Sequence, residues 1–207
     1  FFFVNEAIEA QLLLTRTLWT AGDVQGSMAV LRELAQKHKS KPNLYKQQIP
    51  EVYWLKARIS EEAGNYEEAL KMNEIAVSLE REGTSLWEKL QWQKAWCLRK
   101  QKNFAQSAEI FKTLIDKTKR SDSNIKYRFW YGRVLKENQQ LEEAKVIFTS
   151  LIEDDVMGYY GLISYREVNR KFPPLPAKSS KALEKPSFVS EADYKMVKWL
   201  ASVGETE

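Results

Sequence analysis

The feature that most constrains this chain is a pattern written into it four times. AGDVQGSMAVLREL, AGNYEEALKMNEIA, QKNFAQSAEIFKTL and NQQLEEAKVIFTSL align in one phase. Each places an apolar residue three positions before a small one: Val24/Ser27, Tyr66/Ala69, Phe104/Ser107 and Leu141/Ala144. Leu31, Asn73, Phe111 and Phe148 follow four positions later, then Leu34, Ala76, Leu114 and Leu151 after three more. Steps of four and seven mark one face of an α-helix. Asn73 breaks the apolar series, and Met72 and Ile75 are the residues expected to carry the packing there.

A second series precedes the first. Twelve positions before each small residue stands another small one, namely Thr15, Ala57, Ala95 and Gly132. Three positions earlier again stand Leu12, Trp54, Trp92 and Phe129. Small residues at matched points let two helices cross closely, with a large side chain filling the gap. The units recur at spacings of 42, 38 and 37 residues. No single hairpin covers its own apolar face, so neighbours must do it. The small-twelve-small spacing resembles that of tetratricopeptide helical hairpins and covers roughly Asn5 to Glu153. The expected fold is all-α, a right-handed α-superhelical solenoid of tetratricopeptide-like hairpins.

Punctuation agrees with that division. Turns are expected at Ala21-Gly22-Asp23, Ala63-Gly64-Asn65 and Lys102-Asn103. Pro50 suits a first helical turn, where its missing N–H costs nothing. Ser85 with Glu88, and Ser190 with Asp193, read as capping boxes. The expected organisation is helical repeats over 1–155, then a continuing helix over 156–171 carrying Tyr159-Tyr160-Gly161-Leu162. A proline-rich crossover over 172–190 holds four of the six prolines, and 191–207 begins a truncated helical segment.

Composition narrows the chemistry. Basic and acidic residues are nearly balanced, 32 against 28, and interspersed, which gives no footprint for nucleic acid. Cys97 is the only cysteine, so no intrachain disulfide forms, and the single histidine, His38, reads as a surface residue near a helix end. No cofactor or metal site is expected. No apolar run reaches transmembrane length. The chain opens without Met and already inside an amphipathic pattern, which is expected of a segment of a longer protein.

A helical array, then Tyr159-Tyr160-Gly161-Leu162, a proline-bearing crossover, and a helix ending in Leu200, Gly204 and Glu205 resembles the soluble lytic transglycosylases of bacteria. In that family an α-superhelical region precedes a lysozyme-like domain that cleaves peptidoglycan glycan strands. The resemblance implies a periplasmic or cell-envelope scaffold, with the downstream catalytic domain of the same chain as partner and peptidoglycan as a ligand. The family's catalytic glutamate lies in a Glu-Ser pair, which this sequence lacks, so the chain itself is expected to be non-catalytic. Its acidic clusters, Glu61-Glu62, Glu67-Glu68, Glu142-Glu143 and Glu153-Asp154-Asp155, read as solvation, helix-start charge and i,i+4 pairing with lysines. The alternative is a tetratricopeptide-type adaptor that binds a partner's peptide in its concave groove.

The candidate groove residues follow the small residue of each first helix: Arg16, Arg58, Trp96 and Arg133. Guanidiniums there could grip carboxylates through paired hydrogen bonds. The plainer expectation is that they pair with neighbouring glutamates along the helices and do nothing else. Trp54, Trp92 and Phe129, in phase with the small residues, are expected in the core rather than against sugar rings. Trp19, Trp87, Trp130 and Trp199 fall into no repeat register. Tyr159 and Gly161 are expected as a knob and a gap between crossing helices, a structural junction and not an active site.

Overall fold

A computed structural model describes residues 2–172 and 190–203. Those residues form helices α1 (Phe2–Thr20), α2 (Val24–Ser40), α3 (Pro42–Tyr45), α4 (Ile49–Glu62), α5 (Tyr66–Leu79) and α6 (Ser85–Lys100). After these come α7 (Phe104–Lys117), α8 (Ser121–Glu137), α9 (Leu141–Asp154), α10 (Tyr159–Glu167) and α11 (Glu191–Val203). No strand occurs among the described residues. The chain divides into two units, Phe1–Lys171 and Phe172–Glu207. The crossover expected over 172–190 lies almost entirely outside the described residues.

In the first unit α1/α2, α4/α5, α6/α7 and α8/α9 are hairpins, and each second helix also packs on the next first helix. The protein is thus an α-solenoid of tetratricopeptide-like hairpins. The short α3, inserted after α2, accounts for the longest repeat spacing. The expected small positions are all buried: Thr15, Ala57 and Ala95 are fully covered, and so are Ser27, Ala69 and Ser107. The crossings are also tied by hydrogen bonds. Ser27 Oγ–H donates to the Thr15 carbonyl at 3.1 Å, and Ser107 Oγ–H to the Ala95 carbonyl at 2.7 Å. Buried hydroxyls therefore find acceptors without the helices having to separate.

Each first helix ends in the same turn, at Gly22, Gly64, Lys102, Gln139 and Asn169, all with positive φ. In every case the N–H of that residue and of the next reach back to the last turn, as in Asn103 N–H to the Leu98 carbonyl. This left-handed ending satisfies carbonyls that the helix would otherwise leave open. Its fifth occurrence, at Asn169, shows that α10 is built as a first helix. Counting back from that turn, Tyr159 takes the large position and Leu162 the small one.

Four expectations are corrected. Asn73 is itself fully buried, whereas Ile75 is 37% exposed. The position stays in the core because the Asn73 amide donates to the Leu90 carbonyl at 3.0 Å and to Gln93 Oε1 at 3.2 Å. The cap of α6 is Thr84, not Ser85: its hydroxyl accepts the Trp87 N–H at 3.1 Å. The helix expected across 156–171 is shorter, since the chain turns at Asp155–Gly158 before α10 begins. Glu61 is not solvated; its side chain is only 10% exposed and lies between Arg58 and Gln93. The Ser190–Asp193 cap forms as expected, with Asp193 N–H donating to Ser190 Oγ at 3.1 Å.

The Tyr-Tyr-Gly-Leu stretch is explained by packing, with Tyr160 rather than the expected Tyr159 as the knob. Tyr159 is 69% exposed, and Tyr160 is the ring that packs, 5.4 Å from Phe129. Gly161 is the gap. A Cβ there would lie 1.9 Å from the Asp155 carbonyl oxygen and 3.1 Å from that of Leu151. The Gly161 N–H donates to Asp155 Oδ2 at 2.9 Å, so the end of α9 caps the start of α10.

Candidate binding groove on the first-helix face

A groove of about 660 Å³ runs along one side of the first unit. Its lining comes only from first helices and the residue that caps one of them. Trp19 stands on α1, Trp54 and Arg58 on α4, and Glu88, Lys89 and Trp92 on α6. Arg120, Asp122, Lys126 and Tyr127 come from the start of α8, and Tyr160 from α10. Residues far apart in sequence meet there because each hairpin presents the same face of its first helix.

Indoles form the floor. Trp92 sits edge-on to Phe111 at 5.6 Å, is stacked with Trp96 at 6.3 Å, and lies 5.7 Å from Tyr127. Trp130 meets Trp96 edge-on at 4.8 Å. The expected core role of Trp54, Trp92 and Phe129 therefore holds in part: Phe129 is buried, while Trp54 and Trp92 are half-buried and also wall the groove.

The four sequence-predicted groove residues do not share one cleft. Arg58 lines the groove just described, and Arg133 lines a neighbouring one between α8 and α10. Arg16 is ion-paired with Glu51. Arg58 contacts Glu61 at 3.2 Å and Glu62 at 3.4 Å, and Arg133 contacts Glu167 at 2.8 Å. Arg58 thus pairs along its own helix, whereas Arg16 and Arg133 take glutamates from the next first helix. Trp96 is held among Trp92, Trp130 and the Arg99 guanidinium, 5.0 Å above its ring. Arg99 in turn makes a two-point contact with Glu137, at 2.8 and 2.5 Å.

Two lysines carry what the arginine series does not. Lys89 Nζ lies 5.3 Å from the Trp54 ring centroid, and Lys126 Nζ 4.4 Å from that of Trp92. Among the described residues neither has a carboxylate within ion-pair distance. Burial holds the Lys126 ammonium below the usual lysine range, partly offset by the charges of Glu88 and Asp122. Burial also pushes the Tyr127 phenol up to about 12, helped by Glu88, which accepts its O–H at 3.3 Å. Sequence reading missed both lysines because it followed only the position after the small residue. Their signal was the repeated placement of lysine three positions before Trp92 and three before Phe129.

Other chemistry is sparse. Cys97 is buried, and loss of solvation pushes its thiol up to about 12, with the Glu61 charge adding to the effect. Among the described residues no cluster of His, Cys, Asp and Glu could hold a metal ion, and no helix is long and apolar enough to cross a membrane.

Comparison with known proteins separates the two functional expectations. No curated protein matches the sequence. Solved structures do match. TPR-like repeats assigned to a kinesin light chain of P. anserina superpose with a TM-score of 0.66 at 18% identity, covering 78% of this chain and 83% of that one. BtubC from P. vanneervenii gives 0.60 at 13% identity, covering 89% of each chain. YrrB, a TPR protein with an unusual peptide-binding site, gives 0.56 at 16% identity, covering 81% and 84%. At these identities the likeness is one of fold. The resemblance to lytic transglycosylases is overturned: the family match, the P. anserina repeats and YrrB are all of TPR-like repeat proteins. The physical reason is that Tyr159 to Leu162 follows from repeat register and the close approach of Asp155, which any such hairpin stack could require. Gly204 and Glu205 lie outside the described residues, and the envelope location rested on that resemblance alone. The sequence model of the Iml2/Tetratricopeptide repeat protein 39 family spans residues 45–156, more than half of the chain, and the protein belongs to that family.

Proposed function

We propose that this protein is a protein–protein interaction adaptor that holds an extended peptide segment of a partner along its first-helix face. One observation carries the reading: a single groove is lined by residues from all five first helices of the unit. Its walls combine half-buried indoles with polar side chains, the mixture that gives a peptide both contact area and orientation. The rigidity of the floor supports it further, because an aromatic network already packed against the core loses little entropy on binding. YrrB, which shares the fold, is a TPR protein with a peptide-binding site.

The test is a selection from a random twelve-residue peptide display library against the full chain. Hydrogen exchange then locates each binder. Binders that protect α4, α6 and α8 are expected. Failure to select any binder, or protection confined to α5, α7 and α9, overturns the reading.

A further inference from the structure

We infer that the segment this groove accepts is acidic, with two carboxylates about three residues apart that engage Lys89 and Lys126. The inference rests on the adaptor reading and adds the chemistry of the ligand.

Charge lining the groove is unequal. Arg58, Lys89, Arg120 and Lys126 face Glu88 and Asp122. The two arginines are already neutralised, Arg58 by Glu61 and Glu62, and Arg120 by Asp122 at 2.9 Å. Lys89 and Lys126 remain. Each rests on an indole of the preceding unit, which attracts the ammonium from one side but does not cancel its charge. The other N–H donors of each ammonium are open to a ligand.

The arrangement is built twice in the same register. Lys89 and Lys126 stand equally far before the turn residues Lys102 and Gln139, and Trp54 and Trp92 equally far before Gly64 and Lys102. Outside the two central units the pair disappears. The equivalent of the lysine is Glu51 in the second unit, where it pairs with Arg16, and Val156 beside α10. The unpaired cations are thus confined to the middle of the groove.

Spacing follows from geometry. Helices packed side by side are about 8–10 Å apart. A peptide in the polyproline II conformation rises about 3.1 Å per residue with three residues per turn, so acidic residues at i and i+3 lie on one face about 9 Å apart and match cations on successive first helices. Glu88, beside Lys126 and accepting from Tyr127, opposes such a ligand and limits its affinity.

The experiment starts from the selected library. Enrichment of Asp and Glu at i, i+3 is expected. The best binder is then made as a fluorescein-labelled peptide, with a matched version carrying Gln for Glu, and its affinity for the full chain is read by anisotropy. Lys89→Ala and Lys126→Ala should each weaken binding about fivefold, as for charged hydrogen bonds at a partly solvated site. Glu88→Gln should tighten it, and added salt should weaken it. Lys89 is exposed and Lys126 half-buried in the groove wall, and neither belongs to the hydrophobic core, so these variants leave the core intact. Selected peptides that protect the groove but are neutral or basic, or equal affinity for the Glu and Gln peptides, overturn the inference while leaving the adaptor reading standing. A single-stranded oligonucleotide of equal charge that binds more tightly, and loses affinity in the same lysine variants, also overturns it. No binder of any charge removes the adaptor reading itself.

Discussion

Replacing Gly161 by alanine should detach α10 from the solenoid. The added Cβ would sit 1.9 Å from the Asp155 carbonyl oxygen, a backbone atom that cannot swing aside. Relief to an ordinary contact requires α10 to move by more than an ångström. That movement breaks the 2.9 Å bond from Gly161 N–H to the Asp155 carboxylate and disturbs the Tyr160–Phe129 contact. Overpacking of this kind costs roughly 1–3 kcal/mol, and the lost cap about 1 kcal/mol more. Alanine returns about 1 kcal/mol through helix propensity. The net is a loss of about 1–3 kcal/mol, or local release of α10 if its docking is weaker than that strain. Gly132→Ala is the control. Its Cβ meets the Phe148 ring at 3.0 Å and Ile147 at 3.3 Å, side-chain atoms that can yield by a few tenths of an ångström. The other units carry Thr15, Ala57 and Ala95 in that register. That variant should stay within about 1 kcal/mol of the parent. Urea titration and hydrogen exchange read both variants, with lost protection at 161–167 expected for Gly161→Ala alone. Unchanged protection in Gly161→Ala, or equal damage from Gly132→Ala, would refute the reasoning.

Asn73→Asp should cost about 3 kcal/mol in urea titrations, because an acceptor would then face the Leu90 carbonyl and Gln93 Oε1 in the core. An unchanged midpoint would show that this polar chain does not hold the second and third hairpins together. Arg99→Ala should cost about 2 kcal/mol, and Arg99→Lys should recover little of it, since an ammonium cannot reproduce the two-point contact with Glu137 or lie flat on Trp96 and Trp130. Full recovery by lysine would reduce the contact to simple charge. Cys97 should resist a maleimide at pH 8 until urea opens the third hairpin. Because its folded thiol titrates near 12 against 9.0 for the ordinary value, the unfolded chain loses that proton first. Stability should therefore fall as pH rises from about 9 towards 12, and a Cys97→Ala variant should lose that part of the slope. An identical slope in the variant would exclude the thiol as its source.

The hairpin stack was legible in the sequence because close crossing is a local demand. A small residue is needed wherever two helices approach, so Thr15, Ala57, Ala95 and Gly132 announce the crossings wherever the rest of the chain goes. The turns at Gly22, Gly64 and Lys102 could be read in the same way, whereas the turn at Gln139 and the positive φ of Lys102 needed coordinates, since neither residue type announces it. Asn73 was misread because its burial depends on acceptors supplied by α6, seventeen and twenty residues away. The groove lysines were hidden for a similar reason. A lysine on a helix reads as solvated, and only the stacking of successive units brings Lys89 over Trp54 and Lys126 over Trp92. Tyr159-Tyr160-Gly161-Leu162 suggested a different family because four residues at a helix start carry no record of the backbone beside them. Periodicity along the chain determined where the helices meet and, at the small positions and the large ones that follow them, which apolar residues are buried. Only the tertiary structure decided which charges are paired, because partners between hairpins come from separate repeats and no spacing within one repeat specifies them.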